Sequence, residues 1–153
     1  LATEEAKPAP SWVQLSYLNN QLGLALDAAG QYDHALECYQ KDLAISLKQL
    51  GPDHPDVAGS YNNIGLVYDN KGEYDKALEY HQKVLAIWLK QLGPDHPSVA
   101  GSYHNIAFLY KAKKDLPKAK EYWEKAYAIC LKKLGPNHPH TKLVKDQLDA
   151  LKE

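Results

Sequence analysis

The sequence predicts an all-α fold, a solenoid of three helical hairpins followed by one closing helix, because it repeats itself every 42 residues. The connector QLGPDHP at 49–55 recurs as QLGPDHP at 91–97 and as KLGPNHP at 133–139. The segments between these connectors align without gaps. A repeat of this length is typical of helical arrays in which each unit packs only against its neighbours.

The first helix of each unit is predicted from the spacing of its apolar residues. In the second repeat, Tyr61, Ile64, Val67 and Tyr68 recur at the spacing of one helix face. Gly72 then predicts the end of this helix, because glycine readily takes the left-handed conformation found at helix C-termini.

The second helix carries a similar stripe. Asp75 stands where an acidic side chain can cap the first free N–H groups. Gly93, followed by a proline, predicts the end of the helix. Either Asp95 or His96 is then expected to cap the first helix of the next unit. The stripe consists of Ala77, Leu78, Leu85, Leu89 and Leu92.

Small residues recur where the two helices of a unit face each other, and they allow the helix axes to approach toward about 8 Å. They are Gly23, Gly65 and Ala107 in the first helices, and Ala35, Ala77 and Ala119 in the second helices. These positions, together with the apolar stripes, are assigned to the core. Trp88 and Trp123, both on second helices, are expected to pack in the core or at its rim.

The third repeat departs from the other two at the turn between its helices. Lys114 stands where the first two repeats have glycine, so either a strained residue or a reshaped turn is expected. Pro117 follows shortly afterwards and fits the first turn of a helix.

The two ends of the array differ. The mostly polar segment 139–152 aligns with the first helix of a fourth unit and predicts a closing helix. At the other end, Asn19 replaces the tyrosine of the later repeats, which indicates a face without a preceding repeat. Either Trp12, Val13 and Leu15 fold over this face, or it packs against further sequence or another molecule.

The composition favours a globular protein with neither a nucleic-acid nor a membrane partner. The 153 residues carry a formal net charge of −1, without the basic patch that phosphate backbones attract. No apolar run approaches the roughly 20 residues of a membrane span, and no signal peptide is recognised. Residues 1–10 suit a flexible leader. Cys38 and Cys130 are two repeats apart, too distant for a disulfide, which favours a cytoplasmic, reducing location.

Taken together, Tyr61, Ile64, Gly65, Tyr68 and Ala77, within NNIGLVY and YDKALEYHQKVLAI, resemble the tetratricopeptide repeat (TPR). The 42-residue period and the LGPDHP connector resemble the subfamily typified by kinesin light chain and nephrocystin. This resemblance implies helices of about four to five turns, since the usual period is about 34 residues. It also implies a right-handed superhelix with an inner groove lined by the first helices.

The domain organisation expected from this resemblance is a single TPR domain after the leader. The ranges are 11–153 for the domain, about 12–52, 53–94 and 95–136 for the repeats, and 139–152 for the closing helix.

The resemblance also implies which residues line the groove, at matching positions of the three first helices. They are Tyr17, Asn20, Gln21, Leu24, Asp27 and Ala28 in the first repeat, Gly59, Asn62, Asn63, Leu66, Asp69 and Asn70 in the second, and Gly101, His104, Asn105, Phe108, Lys111 and Ala112 in the third.

Amide side chains are the chemical basis of the expected binding, because asparagine carries both donors and an acceptor. A row of them can satisfy the backbone of an extended peptide. In kinesin light chain-like repeats, asparagines matching Asn63 and Asn105 hold cargo peptide in this way, and Gln21 is their equivalent in the first repeat. The alternative is that these amides cap or bridge neighbouring helices. The apolar residues beside them are Leu24, Leu66 and Phe108.

Two ligand classes known for such repeats match this groove poorly. The clamp for chaperone C-terminal tails needs Lys or Arg at several positions, and only Asn63 fits its pattern. The acidic, tryptophan-containing cargo motif also needs basic residues, which Asp27 and Asp69 oppose and Lys111 alone supplies. The expected partner is therefore a neutral or mildly basic protein or peptide segment.

No motif predicts catalysis, a cofactor or a metal site. The sequence has no phosphate-binding glycine loop, dinucleotide fingerprint or nucleophile elbow. His54, His96 and His138 recur once per connector, too far apart to share an ion whose ligands lie about 2 Å from it. They are expected to cap helices or pack in loops.

The predicted function is a non-catalytic protein-interaction scaffold that binds a partner segment in its concave groove. Two other functions stay open. One is a structural spacer that self-associates through its N-terminal face, and the other is a regulatory module of a larger signalling protein.

Overall fold

The computed structural model describes residues 9–152. Most of the expected leader, residues 1–8, therefore lies outside the described residues. Ala9 and Pro10 precede the first helix without regular structure and are exposed.

Every regular element between residues 9 and 152 is an α-helix, and each helix packs mainly against the helices before and after it in the chain. The seven helices in this range form an α-solenoid of three hairpins and a closing helix, which confirms the predicted fold class. Their bounds are α1 Trp12–Ala28, α2 Tyr32–Leu50, α3 Pro55–Asn70, α4 Tyr74–Leu92, α5 Pro97–Ala112, α6 Leu116–Leu134 and α7 Pro139–Ala150.

The connector histidines begin the first helices of the later units. The Nδ1 atom of His54 accepts a hydrogen bond from the backbone N–H of Asp56 at 3.1 Å. His96 caps α5 and His138 caps α7 in the same way. The following proline occupies the first helical turn, where its missing N–H leaves no bond unmade. The choice between Asp95 and His96 is therefore decided in favour of the histidine.

The prediction that Asp75 caps a helix was wrong. The cap residue of α4 is Glu73, and its side chain makes no capping hydrogen bond. Asp75 instead forms an ion pair with Lys113 of the next repeat. The equivalent pair one repeat earlier joins Asp33 and Lys71, at 2.6 Å. These exposed pairs link successive turns on the outer surface, where each contributes little free energy.

The turn of the third repeat contains the strained residue expected there. Lys114 has φ 63°, while the equivalent Gly30 and Gly72 have φ 72° and 74°. The turn geometry is thus kept and the lysine adopts it, at the cost that a Cβ atom adds in the left-handed region. Asp115 then caps α6 by accepting from the N–H of Lys118, and Pro117 lies in the first turn as predicted.

Each hairpin packs a large ring of its second helix against a small residue of its first. A Cβ atom on Gly23 would lie 2.6 Å from the ring of Tyr39, and one on Gly65 would lie 3.0 Å from the ring of His81. In the third hairpin, Ala107 and the fully buried Trp123 share one core cluster. The predicted small residues therefore make room for rings.

Successive hairpins are joined because the first helix of the later hairpin packs its outer face against the second helix of the earlier one. Ile64 and Val67 of α3 are fully buried against Ala35 and Leu36 of α2. This contact repeats between the second and third hairpins, and α7 closes the last one with Val144.

Within residues 9–152, no helix packs on the equivalent face of α1. Trp12, Val13 and Leu15 lie within α1 and are exposed, so the expectation that they fold over the end of the array was wrong. The other interpretation, packing against further sequence or another molecule, stays a prediction.

A valine in place of Thr141 is expected to stabilise the protein. Thr141 of α7 is buried, and its hydroxyl has no hydrogen-bond partner within the described residues. Val57 and Val99 hold the equivalent buried positions. Because an unsatisfied buried hydroxyl costs about 1–3 kcal/mol, Thr141→Val should raise the free energy of unfolding by about 1 kcal/mol, measured by denaturant titration. The control Thr141→Ser keeps the hydroxyl, and an equal gain in both variants would contradict the explanation.

The stability of the protein is expected to fall at acid pH because of His81. Burial lowers the pKa of His81 from 6.5 to about 4. The native imidazole thus stays neutral, while the unfolded chain takes up a proton below about pH 6.5. The contribution of neutral His81 to the free energy of unfolding is therefore present above that pH and decreases as the pH falls toward 4. Between pH 7.5 and 5 the loss is about 2 kcal/mol.

The control for this prediction is His81→Tyr, since Tyr39 occupies the equivalent position opposite Gly23. Chemical denaturation of both proteins across this pH range measures the difference. If the wild type and the tyrosine variant lose stability in parallel, His81 does not carry the effect.

Candidate functional site

The residues predicted to bind a partner all lie on α1, α3 and α5. We call the surface formed by these three helices the groove. Its apolar positions are open to solvent, since Leu24, Leu66 and Phe108 are 45%, 39% and 40% exposed. Large side chains at equivalent positions thus form an accessible apolar row along the array.

Most amide side chains of the groove have no hydrogen-bond partner among the residues that the structure describes. Asn20, Asn62, Asn63 and Asn105 are half-buried, and their side chains make no hydrogen bond within residues 9–152. Asn70 is different, because its Nδ2 donates to Oδ1 of Asp27 at 3.2 Å and so bridges α3 and α1. The structural alternative for the amides therefore applies to Asn70 and not to the others.

A cavity of about 460 Å³ opens into the groove between the first two hairpins. We call it cavity one. Residues of α1 and α3 form its walls, and Asp42 and Ser46 of α2 form its floor. The predicted groove residues Asn20, Asn62 and Asn63 line it.

A second cavity, of about 400 Å³, lies between the third hairpin and α7, and we call it cavity two. The predicted residues His104 and Asn105 line it. Its interior is more apolar than that of cavity one, with Cys130, Leu134 and Val144 among its lining residues. Burial raises the pKa of the Cys130 thiol, which disfavours the reactive thiolate form.

At one position of the second helices, the residue type decides whether a cavity is present. Ser46, Trp88 and Cys130 are equivalent, and the two small residues line cavities one and two. Trp88 packs into core clusters that contain Val57 of α3 and Val99 of α5. Its indole therefore packs at the junction between the second and third hairpins.

Asp42 lies at the bottom of cavity one and joins two hairpins. Its side chain is 4% exposed. The hydroxyl of Ser16 on α1 donates to one carboxylate oxygen, and the hydroxyl of Ser60 on α3 donates to the other at 2.7 Å. The equivalent residues of the later repeats, Val84 and Ala126, are apolar.

An aromatic cluster lies at the groove and beneath it in the third repeat. The Nε1–H of Trp123 donates to Nδ1 of His104 at 3.2 Å, and Phe108 packs edge-on against both rings. Burial is the main cause that lowers the pKa of His104, so the neutral imidazole can accept this bond. The Nζ atom of Lys111 lies 5.7 Å from the centre of the Trp123 ring, a cation–π contact that anchors the lysine.

The charge of the groove changes sign along the array. Asp27, Asp69 and Lys111 occupy equivalent positions, so the first two repeats are acidic and the third is basic. Burial raises the pKa of Asp69, as expected for a carboxylate without a nearby cation.

Comparison with known proteins now identifies the family. A family model described as tetratricopeptide repeat matches residues 14–88 and 56–132. The chain belongs to the tetratricopeptide repeat family. This confirms the resemblance drawn from the repeated tyrosines, small residues and connectors. No curated protein matches the chain.

Solved TPR structures share the fold. BtubC (BKLC) from P. vanneervenii has a TM-score of 0.80 at 22% identity, over 97% of this chain and 59% of that chain. A putative kinesin light chain with nearly identical TPR-like repeats, from Podosopora anserina, has a TM-score of 0.76 at 29% identity, over 90% and 66%. The present chain thus spans less than two thirds of either protein. The similarity also shows that its TPR array is of the kinesin light chain type.

A third TPR structure was solved with a ligand. The first TPR of Spaghetti (RPAP3), bound to the HSP90 peptide SRMEEVD, has a TM-score of 0.63 at 16% identity, over 91% of both chains. The family and these neighbours support a protein-interaction scaffold. None of the TPR helices between residues 9 and 152 combines the length and the apolar character that a bilayer crossing requires.

The structure brings part of the predicted site together at the two cavities. The predicted residues that line them are Tyr17, Asn20, Gly59, Asn62 and Asn63 in cavity one, and Gly101, His104 and Asn105 in cavity two. The others lie outside both cavities, and they are Gln21, Leu24, Ala28, Leu66, Asp69, Phe108, Lys111 and Ala112, together with the bridging pair Asp27 and Asn70.

Sequence reasoning missed the floors of the cavities, because it placed the site on the first helices alone. The aligned repeats carried a signal, because Asp42 stands where the later repeats have Val84 and Ala126. Ser46 stands where they have Trp88 and Cys130. The described residues contain no group of three or more metal-ligating side chains.

Proposed function

We propose that this chain is a non-catalytic scaffold that binds an extended peptide segment of a partner protein along the groove. The observation that carries the proposal is the set of amides on α1, α3 and α5 whose side chains make no hydrogen bond within the described residues. They lie beside an exposed apolar row formed by Leu24, Leu66 and Phe108.

The proposed chemistry is shape and hydrogen bonding without covalent change. An asparagine amide can donate to a peptide carbonyl and accept from a peptide N–H, so it recognises backbone whatever the side chains are. Asn63 and Asn105 are one repeat apart and border cavities one and two. A peptide bound by both would run along the array, with its side chains directed toward the cavities or the apolar row.

The charge of the groove favours a neutral or mildly basic segment. Asp27, Asp42 and Asp69 belong to the first two repeats, and Lys111 is the basic residue among the predicted groove positions. The TPR of Spaghetti (RPAP3) holds the peptide SRMEEVD, whose acidic residues would meet carboxylates in the first half of this groove. Charge complementarity thus directs the present chain to a different ligand class.

A cytoplasmic location is part of the proposal. Cys38 and Cys130 are both free thiols, buried in different hairpins. Unpaired cysteines are typical of reducing compartments.

Replacement of two amides tests the groove. Selection from a display library of random dodecapeptides should enrich peptides that bind the wild type, and fluorescence anisotropy then measures their affinity. The double variant Asn63→Ala/Asn105→Ala should bind an enriched peptide about 30-fold more weakly, because two hydrogen bonds contribute about 1 kcal/mol each.

The matched control is Asn19→Ala, since the amide of Asn19 donates to the carbonyl of Leu15 in its own helix. This variant should bind as the wild type does, and circular dichroism confirms that both variants are folded. Equal affinity of the wild type and the double variant for every enriched peptide would refute groove binding through these amides.

A second candidate function is self-association, and the open face of α1 favours it. The residues of this face are exposed in α1, whereas the equivalent residues of α3 are buried against α2. The exposed set is Leu15, Leu18, Leu22 and Ala25, and the equivalent buried set is Val57, Ser60, Ile64 and Val67. The sequence of this face is thus suited to helix packing, and we propose a second copy of the chain as its partner.

Charge on this face tests self-association. Leu18→Lys/Leu22→Lys should convert concentration-dependent dimers to monomers, because both side chains are exposed in the single chain and the lysines repel across the contact. Multi-angle light scattering from low to high micromolar concentration measures the change. A wild type that stays monomeric throughout would exclude the dimer and leave the groove proposal unaffected.

A further inference from the structure

The floor of cavity one is a buried carboxylate without a cation. Asp42 is 96% buried, as its exposed fraction is 4%. Both of its oxygens accept from serine hydroxyls, which is the pattern of an ionised carboxylate. Between residues 9 and 152, no lysine or histidine nitrogen lies within ion-pair distance of Asp42.

Such an arrangement leaves part of the binding capacity of Asp42 unused. A carboxylate offers about four acceptor positions, and the two hydroxyls occupy two of them. Burial of an ionised group costs free energy unless the group is paired and hydrogen-bonded. A cation offsets this cost when its geometry is good and its other donors are also bonded. Asp42 is among the residues that line the open cavity, so a cationic group that enters the cavity comes close to it.

The walls of cavity one suit a long cationic side chain. Trp12, Val13 and Tyr17 of α1 line it, and they offer apolar and aromatic surface to an aliphatic stem and to its charged head. Asp56 of α3 adds a second carboxylate at the wall. No lysine is among the residues that line the cavity.

We propose that cavity one binds a lysine or arginine side chain of the bound segment, with the Asp42 carboxylate as its counter-ion. This inference rests on the proposed binding of a peptide in the groove and specifies which peptides are chosen.

The aligned repeats show that this pocket is particular to the first junction. At the second junction Trp88 fills the equivalent space and Val84 replaces the carboxylate. At the third junction cavity two has Cys130 at its floor, and Ala126 stands where Asp42 would be. A segment that spans the array therefore meets an acidic pocket at one end and an apolar pocket at the other, which sets its direction.

The test uses one peptide enriched by the dodecapeptide selection and its variants in which each Lys or Arg is replaced by norleucine, a neutral side chain of similar length. Asp42→Asn removes the charge, and its amide can still bond both serine hydroxyls, so the fold is kept. The affinity for the cationic peptide should fall about tenfold or more in Asp42→Asn. For the peptide in which norleucine replaces the lysine or arginine that enters cavity one, the wild type and Asp42→Asn should have nearly the same affinity.

Two further variants complete the design. Asp33→Asn makes the same charge change on α2, but Asp33 pairs with Lys71 on the outer surface, so binding of the cationic peptide should not change. Ser46→Trp introduces the residue that the second repeat carries at this position and should block cavity one. It should therefore abolish the preference for the cationic peptide over norleucine.

Three results would overturn the inference. Enriched peptides could lack a preferred lysine or arginine. Asp42→Asn could weaken the cationic and norleucine peptides equally, which would make Asp42 only a structural bridge between hairpins. Asp33→Asn could act as strongly as Asp42→Asn, which would make the effect one of net charge. In each case, sensitivity to Asn63→Ala/Asn105→Ala would still show that the groove binds peptide, so the two proposals fail separately.

Discussion

The structure depends on one contact, the burial of the outer face of each first helix against the second helix of the preceding hairpin. Ile64 and Val67 are completely excluded from solvent by this contact, which also supplies the cores that join successive hairpins. Because α3 and α5 also pack against the second helix of their own hairpin, their remaining face is the one open to solvent, where Leu66 and Phe108 lie. The same requirement explains why the unmatched face of α1 exposes leucines.

The connectors keep this packing in register. A histidine cap and a following proline begin α3, α5 and α7 at the same point of the repeat. A glycine with positive φ ends each second helix, and ion pairs such as that of Asp33 with Lys71 join the outer surfaces. These local features add little free energy individually, but they place equivalent residues at equivalent points, so that one substitution per repeat can reshape the groove.

The shape of the groove differs from junction to junction because one residue of the second helices, below the groove, differs in size between the repeats. Trp88 closes its junction, whereas Ser46 and Cys130 leave cavities of about 460 and 400 Å³. Asp42 adds charge to one of these cavities and hydrogen bonds between hairpins. A periodic scaffold thus acquires different spaces at its successive junctions, and in the proposed function this order would supply the specificity that repeated asparagines alone cannot provide.

The sequence by itself determined the helices, the repeat, the helix ends marked by glycine and the small residues such as Gly65, because these follow from backbone conformation and from a period that is visible in the chain. The prediction for Asp75 failed because its partner, Lys113, lies in the next repeat. Only the tertiary structure decided which amides are free and where the cavities lie. Those features depend on side chains brought together from three helices, as Asp42 is with Ser16 and Ser60, and no spacing along one helix records that contact.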